Sequence, residues 1–188
     1  MPLFLRAMRA TDSYEDRLKM AEMHNDVLQR IDSAIKKKQS IEACWLCYAC
    51  FESRINRSLE KLSVACSKRN CFQNHRVGIV TRIDCLKRLS NQKYVGTEHF
   101  DKQLLGNIES WCHDRNTLVH ALVTLNNYSG MDKRFLDLAK RGKPLVEQLY
   151  AQTTDFRTEY YKIDNMPTFP ENAEQKCRLK KKEDSKNG

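Results

Sequence analysis

Glycine and proline are scarce in this chain, with 6 and 4 among 188 residues. Few glycines leave few sites for tight turns, and few prolines leave few breaks, so the composition favours long helices. Long apolar runs are missing too. The longest uncharged one, ACWLCYACF over 43–51, has nine residues, well short of the roughly 20 that cross a bilayer. The opening MPLFLRAMRA has two arginines but no apolar segment long enough for a secretory signal. These absences predict a soluble, cytoplasmic protein with no membrane partner. Strand-length alternation of polar and apolar residues is lacking, as is any internal repeat.

What is present bounds the chain further. Its length suits one domain with a sizeable core, and its 40% hydrophobic content suits a folded chain. The net charge of +9 favours anionic partners such as nucleic acid. Part of that charge sits in the end KCRLKKKEDSKNG, so the reading divides the chain into a helical bundle over 1–163 and a basic, disordered tail over 164–188. Such a tail either contacts nucleic acid or only keeps the protein in solution.

Eight cysteines without an export signal read as free thiols. Cys44, Cys47 and Cys50 fall at i, i+3 and i+6 of one helix and fan over about 120° of its surface, which closes no tetrahedral site. Cys66, Cys71 and His75, with Cys85 as a fourth ligand, are a better zinc set, but the paired C-x-x-C spacing is absent. Small buried hydrophobes are the default for these thiols, so the reading assigns no metal and no cofactor.

Apolar periodicity predicts helices almost throughout. The first runs from about Ser13 to Lys37, with Leu18, Ala21, Leu28, Ile31 and Ile35 in a stripe and His24 on the same line as a core or interface residue. Ser40 can cap a second helix, whose stripe is Ile41, Trp45, Tyr48, Phe51, Ile55, Leu59 and Leu62. SKRNCFQNH reads as a loop. A shorter third helix carries Ile79, Ile83, Leu86 and Leu89, and a fourth runs from near Thr97 to about Leu125. A short helix with Phe135, Leu136 and Ala139 follows. RGKP then breaks the chain, and Pro144 opens a last helix with Leu145, Leu149, Thr153, Phe156 and Tyr160. The expected architecture is an all-α, largely up-and-down bundle of long helices.

The fourth helix carries the chemistry. At about 100° per residue, Phe100, Leu104, Ile108, Trp111, Leu118, Leu122 and Leu125 form one stripe, and Arg115 falls on it. An inward arginine is costly unless it is paired or lines a wet cleft. His113, Asn116 and His120 form a second, polar row, with Cys112, Val119 and Val123 between the rows. The apolar arc is wide enough for two partners, the helix's own bundle and a second copy of the chain. A polar row at such a seam suits phosphodiester chemistry. Arginine grips phosphate with parallel hydrogen bonds. Histidine gives or takes a proton near neutrality, and asparagine can orient either group. RNA supplies its own 2′-hydroxyl nucleophile, so no metal is required. Arg115 and His120 diverge by about 140° on one helix, a gap that a two-fold dimer closes.

Arg115, Asn116 and His120, written R-N-x-x-x-H on a late helix of an all-α bundle, resemble the HEPN superfamily, the higher-eukaryote and prokaryote nucleotide-binding domains. That family's signature is Arg, often followed by Asn or another polar residue, then His after roughly four to six residues. The likeness spans roughly Ser13 to Tyr160 as fold, although the identifying motif is six residues long. Phe51, Glu52 and Asn56 on the second helix also resemble the family's early helices. The same letters recur in Arg69, Asn70 and His75, but in a loop-like stretch, so the context of a long late helix decides.

The resemblance implies a dimeric bundle and, in many members, a metal-independent ribonuclease of toxin–antitoxin or phage-defence systems. RNA, a second copy of the chain, and an antitoxin or regulatory protein are the implied partners. In members encoded beside small nucleotidyltransferases a Tyr stands two residues after the His; here that residue is Leu122, which argues against modification by such a partner. Other members are catalytically silent and bind nucleic acid or protein, and an unrelated helical interaction protein is the remaining alternative.

Overall fold

The computed structural model describes residues 14–64, 78–93, 97–124 and 130–160. These form α1 (Tyr14–Lys36), α2 (Ser40–Val64), α3 (Ile79–Asn91), a 3₁₀ turn (Thr97–His99), α4 (Lys102–Thr124) and α5 (Met131–Tyr160), with no strand among the described residues. The all-α expectation holds. The tail over 164–188, the trio Cys66, Cys71 and His75, the second motif match at Arg69 and the side chain of His24 all lie outside the described residues.

Residue pairs across the helices give their directions. Ser40, Cys44 and Cys47 of α2 bond to Asp132, Phe135 and Ala139 of α5, so α2 and α5 run parallel. Phe100 and Trp111 of the α4 segment meet Phe156 and Leu138 of α5, so α4 runs antiparallel to α5 and to α2. The four long helices are thus an up-and-down bundle, and α3 lies in the connection between α2 and α4.

The α1–α2 corner is tight. Lys38 adopts φ 57°, and the Gln39 N–H donates to the Ala34 carbonyl at 2.8 Å, a left-handed helix stop of the kind usually given to glycine. Ser40, expected to cap α2, is instead its first residue: the Gln39 carbonyl accepts from the Ala43 N–H at 3.0 Å, and the Ser40 hydroxyl donates to Asp132 Oδ1 at 3.1 Å, tying the starts of two helices together. Asp101 caps α4: its carboxylate accepts from the Gln103 N–H at 2.9 Å. The fourth helix therefore starts at Lys102, after a separate 3₁₀ turn, rather than at Thr97.

The core is one cluster centred on α2, with Phe51, Ile55, Leu59, Leu86, Leu105, Phe135 and Phe156 fully enclosed. The Cys44, Cys47 and Cys50 row is the face that α2 lays on α5. Cys44 Sγ donates to the Phe135 carbonyl at 3.0 Å, and the Tyr150 hydroxyl donates to Cys50 Sγ at 3.7 Å. These thiols are free, in line with the reading of them as small core residues.

α5 corrects one expectation. RGKP does not break the chain, and a single 30-residue helix runs through Gly142 and Pro144. An interior proline costs a helix about 3 kcal/mol, less than the burial of Phe135, Leu138, Val146, Leu149 and Phe156 along both halves contributes. Gly142 is a close approach rather than a turn. A Cβ there would lie 2.7 Å from Trp111 Nε1, and that indole N–H donates to the Leu138 carbonyl at 2.8 Å.

Candidate functional site

α2 and α4 share a face that is covered at one end and open at the other. Toward the end where α3 packs, Ile55, Leu59 and Leu62 of α2 and Leu104, Leu105 and Ile108 of α4 are buried. α3 reaches α4 through Lys87, which pairs with Glu109. Toward the opposite end the α2 stripe surfaces, and on α4 Val123 surfaces beside a stripe whose Leu118 is still buried. Ile41 is 40%, Trp45 55% and Val123 80% exposed. The stripe on α2 follows the line its periodicity predicts, but its first two turns, Ile41 and Trp45, are not core. Periodicity reports direction around a helix and carries no information on which neighbour stops short.

Arg115 stands where the covered and open parts meet. Its guanidinium lies 4.6 Å from the Trp45 ring centroid and 4.5 Å from that of Tyr48. Nη1 donates to Asn116 Oδ1 at 3.1 Å. The residue is half-buried, and among the described residues no carboxylate lies within ion-pair range of it. Asp114, its neighbour in sequence, pairs with Arg141 on α5. The cost of an inward arginine is thus met by two aromatic π-faces rather than by an opposite charge. The two rings stand at 76° to each other, so the planar guanidinium can lie flat on only one of them, and Asn116 takes one of its five N–H groups.

The other motif residues fall as the helical projection places them. His113 and His120 are exposed and Asn116 is half-buried. The hydroxyls of Thr117 and Thr124 donate to the backbone carbonyls of His113 and His120, one turn earlier. Arg115 and His120 are not brought together within one chain: they diverge by about 140° and are offset by about 7.5 Å along the axis. Asn116 accepts a hydrogen bond from Arg115.

The surroundings keep other ionisable groups neutral. Burial pushes the Cys112 thiol up to about 12, against the opposing pull of the Arg115 charge. Burial likewise pushes Cys44 up to about 12 and raises Tyr48, where nearby Glu52 acts in the same direction. A thiol held protonated is neither a nucleophile nor a metal ligand. Cys85, proposed as a fourth zinc ligand, is buried in the core. Among the described residues no three of His, Cys, Asp and Glu gather as a metal would require, and no helix is long and apolar enough to cross a membrane.

Trp45 and Tyr48 are the residues that sequence reasoning did not assign to the site. They read as core because they share a stripe with Phe51 and Ile55. The available signal was an aromatic pair on α2 and an inward arginine on α4, two groups that needed each other.

Comparison of the chain with protein-family models, with curated proteins and with solved structures returned no match.

Proposed function

We propose that the chain is a metal-independent endoribonuclease of the HEPN type. Arg115 grips the scissile phosphate, His120 moves the proton, and Asn116 orients the guanidinium. The observation that supports this reading is the state of Arg115: half-buried, held over two aromatic rings, and without a carboxylate partner among the described residues. A guanidinium held by two rings, with one N–H on Asn116 and no carboxylate pairing it among the described residues, suits a phosphate in transit between two bonding states.

In the proposed reaction the 2′-hydroxyl attacks the adjacent phosphorus and its proton passes to a base. The P–O5′ bond breaks and the leaving oxygen takes a proton. The products are a 2′,3′-cyclic phosphate and a 5′-hydroxyl. Arg115 neutralises the charge that builds on the phosphoryl oxygens, and His120 serves one of the two proton transfers.

The divergence of Arg115 from His120 makes the working unit a two-fold dimer. Val119 and Val123 on the open half of α4 supply an apolar contact, and pairing there sets Asn116 and His120 of each copy beside the other. An antitoxin or regulatory protein would act by covering the same face.

Incubation with total RNA in chelator, wild type beside His120→Ala, tests the reading. Wild type should cleave, leaving 2′,3′-cyclic phosphate ends, and His120→Ala should be slower by about 10²–10⁴. Strict dependence on a divalent metal, or full activity in His120→Ala, would refute it. RNA binding without cleavage would favour a silent binding module, the reading that the separation of Arg115 from His120 within one chain also allows.

A further inference from the structure

We infer that Trp45 is a base-stacking platform, which makes the preferred substrate single-stranded RNA with an unpaired base next to the phosphate gripped by Arg115. The inference rests on the ribonuclease reading for the role of Arg115 and goes beyond it in naming the form of RNA and the residue that selects it.

Trp45 carries the largest exposed aromatic surface among the described residues, with 55% of it open. It is also in direct contact with the guanidinium assigned to phosphate, at 4.6 Å, and Tyr48 meets its ring edge-on at 6.3 Å. An exposed indole on a protein surface gains by being covered, and here the ring is held from two sides before any partner arrives. A nucleotide fits both halves of this pair. Its phosphate meets Arg115, and its base meets the π-face of Trp45. A base locked in a duplex cannot turn onto that ring, so only an unpaired strand can use both.

Charge chooses RNA over a second copy of the chain as the occupant of this spot. Two-fold contact centred on Trp45 would set Arg115 against its own symmetry mate, and among the described residues no carboxylate pairs with Arg115 within the chain. Lys36, Lys37 and Lys38 are all exposed at the α1–α2 corner, at the same end of α2 as Trp45. Trp45 lies about 7.5 Å into the helix from Ser40 at 1.5 Å per residue. A backbone running from Arg115 past Trp45 would pass this cationic corner, whereas a second copy would bring a matching set of positive charges. The apolar contact for dimerisation lies instead on the last turns of α4, at Val119 and Val123.

The test uses the whole chain and an uncleavable probe, a 2′-O-methyl RNA octamer, as a single strand and as the same sequence in a duplex. The single strand should bind more tightly and should quench the exposed indole. Trp111, buried with its N–H on Leu138, provides an unchanging background in the same spectrum. Trp45→Ala should weaken single-strand binding about 5- to 150-fold, the loss expected for one stacked base, and Trp45→Phe should restore most of it. Circular dichroism melts should show both variants folded.

Equal affinity for strand and duplex, or an unchanged affinity in Trp45→Ala, would overturn the inference. So would a Trp45→Ala chain that binds RNA normally but no longer self-associates in sedimentation, which assigns the residue to a protein contact. The two readings fail separately. Quenching and tight binding by a wild type that never cleaves RNA would sink the ribonuclease and keep the platform. Cleavage that ignores Trp45 would do the reverse.

Discussion

Replacing Arg115 by Met separates a packing role from a catalytic one. The substitution keeps the unbranched stem and removes the charge. What is lost is the pair of ring contacts, each worth about 0.5–1 kcal/mol at a partly exposed site, and one hydrogen bond to Asn116, about 1 kcal/mol. The thioether recovers part of this by its own contact with the rings, about 0.3–1.5 kcal/mol. The net loss is about 1 kcal/mol, or about 2–4 °C in Tm for a chain of this size. A domain is typically stable by about 5–15 kcal/mol, so the folded fraction at 25 °C hardly changes. Removing a preorganised cation from a developing negative charge costs about 10²–10³ in rate. Cleavage measured at 25 °C beside a thermal melt therefore distinguishes the two effects, because 1 kcal/mol of stability cannot produce a hundredfold loss. Arg115→Lys, which keeps the charge but not the planar fork, should fall between Arg115→Met and wild type. Wild-type cleavage by Arg115→Met would reduce Arg115 to a filler between two rings. A melt lowered by more than about 10 °C would show that the aromatic contact holds the fold.

Three further outcomes follow from the same geometry. Gly142→Ala should destabilise the bundle by up to about 2 kcal/mol, since overpacking against Trp111 costs about 1–3 kcal/mol and the gain in helix propensity returns about 1; urea melts check this, and a more stable variant would contradict the close approach. Cys44 and Cys112 ionise later in the folded chain than in the unfolded one, so the stability they contribute is complete below about pH 9 and drains away as pH rises toward about 12; denaturation followed from pH 8 to 11 should show the fall, and Cys112→Ala should flatten it. Mixing inactive Arg115→Ala and His120→Ala chains should return part of the cleavage if each site takes its Arg and His from different copies; wild-type chains that cleave at full rate as monomers would refute the dimer.

The helices were legible because each rests on a local rule. The stripes of α2 and α3 and the α4 stripe interrupted by Arg115 follow from 3.6-residue periodicity. The error at RGKP has the same origin. Gly and Pro within three residues are a strong local stop signal, and only tertiary packing tells that both sides of it bury side chains on one partner. The start of α4 shifted for a similar reason. Thr97 looks like a cap, but Asp101 supplies the side-chain acceptor, while Thr97 itself is buried against the end of α3, its hydroxyl donating to the Leu89 carbonyl at 3.5 Å.

The site was half legible, and the missing half is the part made by two elements at once. Arg115, Asn116 and His120 could be read from one helix, because their spacing fixes their directions. That spacing also shows what one helix cannot do, which is to turn Arg115 and His120 onto the same bond. The aromatic cradle needed the register of α2 against α4, set by contacts such as Phe51 with Trp111 at 5.2 Å. That register brings Trp45 and Tyr48 level with Arg115 and leaves Ile41 and Val123 uncovered beyond it. A half-buried cation with no carboxylate partner among the described residues and exposed apolar side chains lie side by side on the same two helices. On the proposed reading a phosphate would take the first and a second copy of the chain the other.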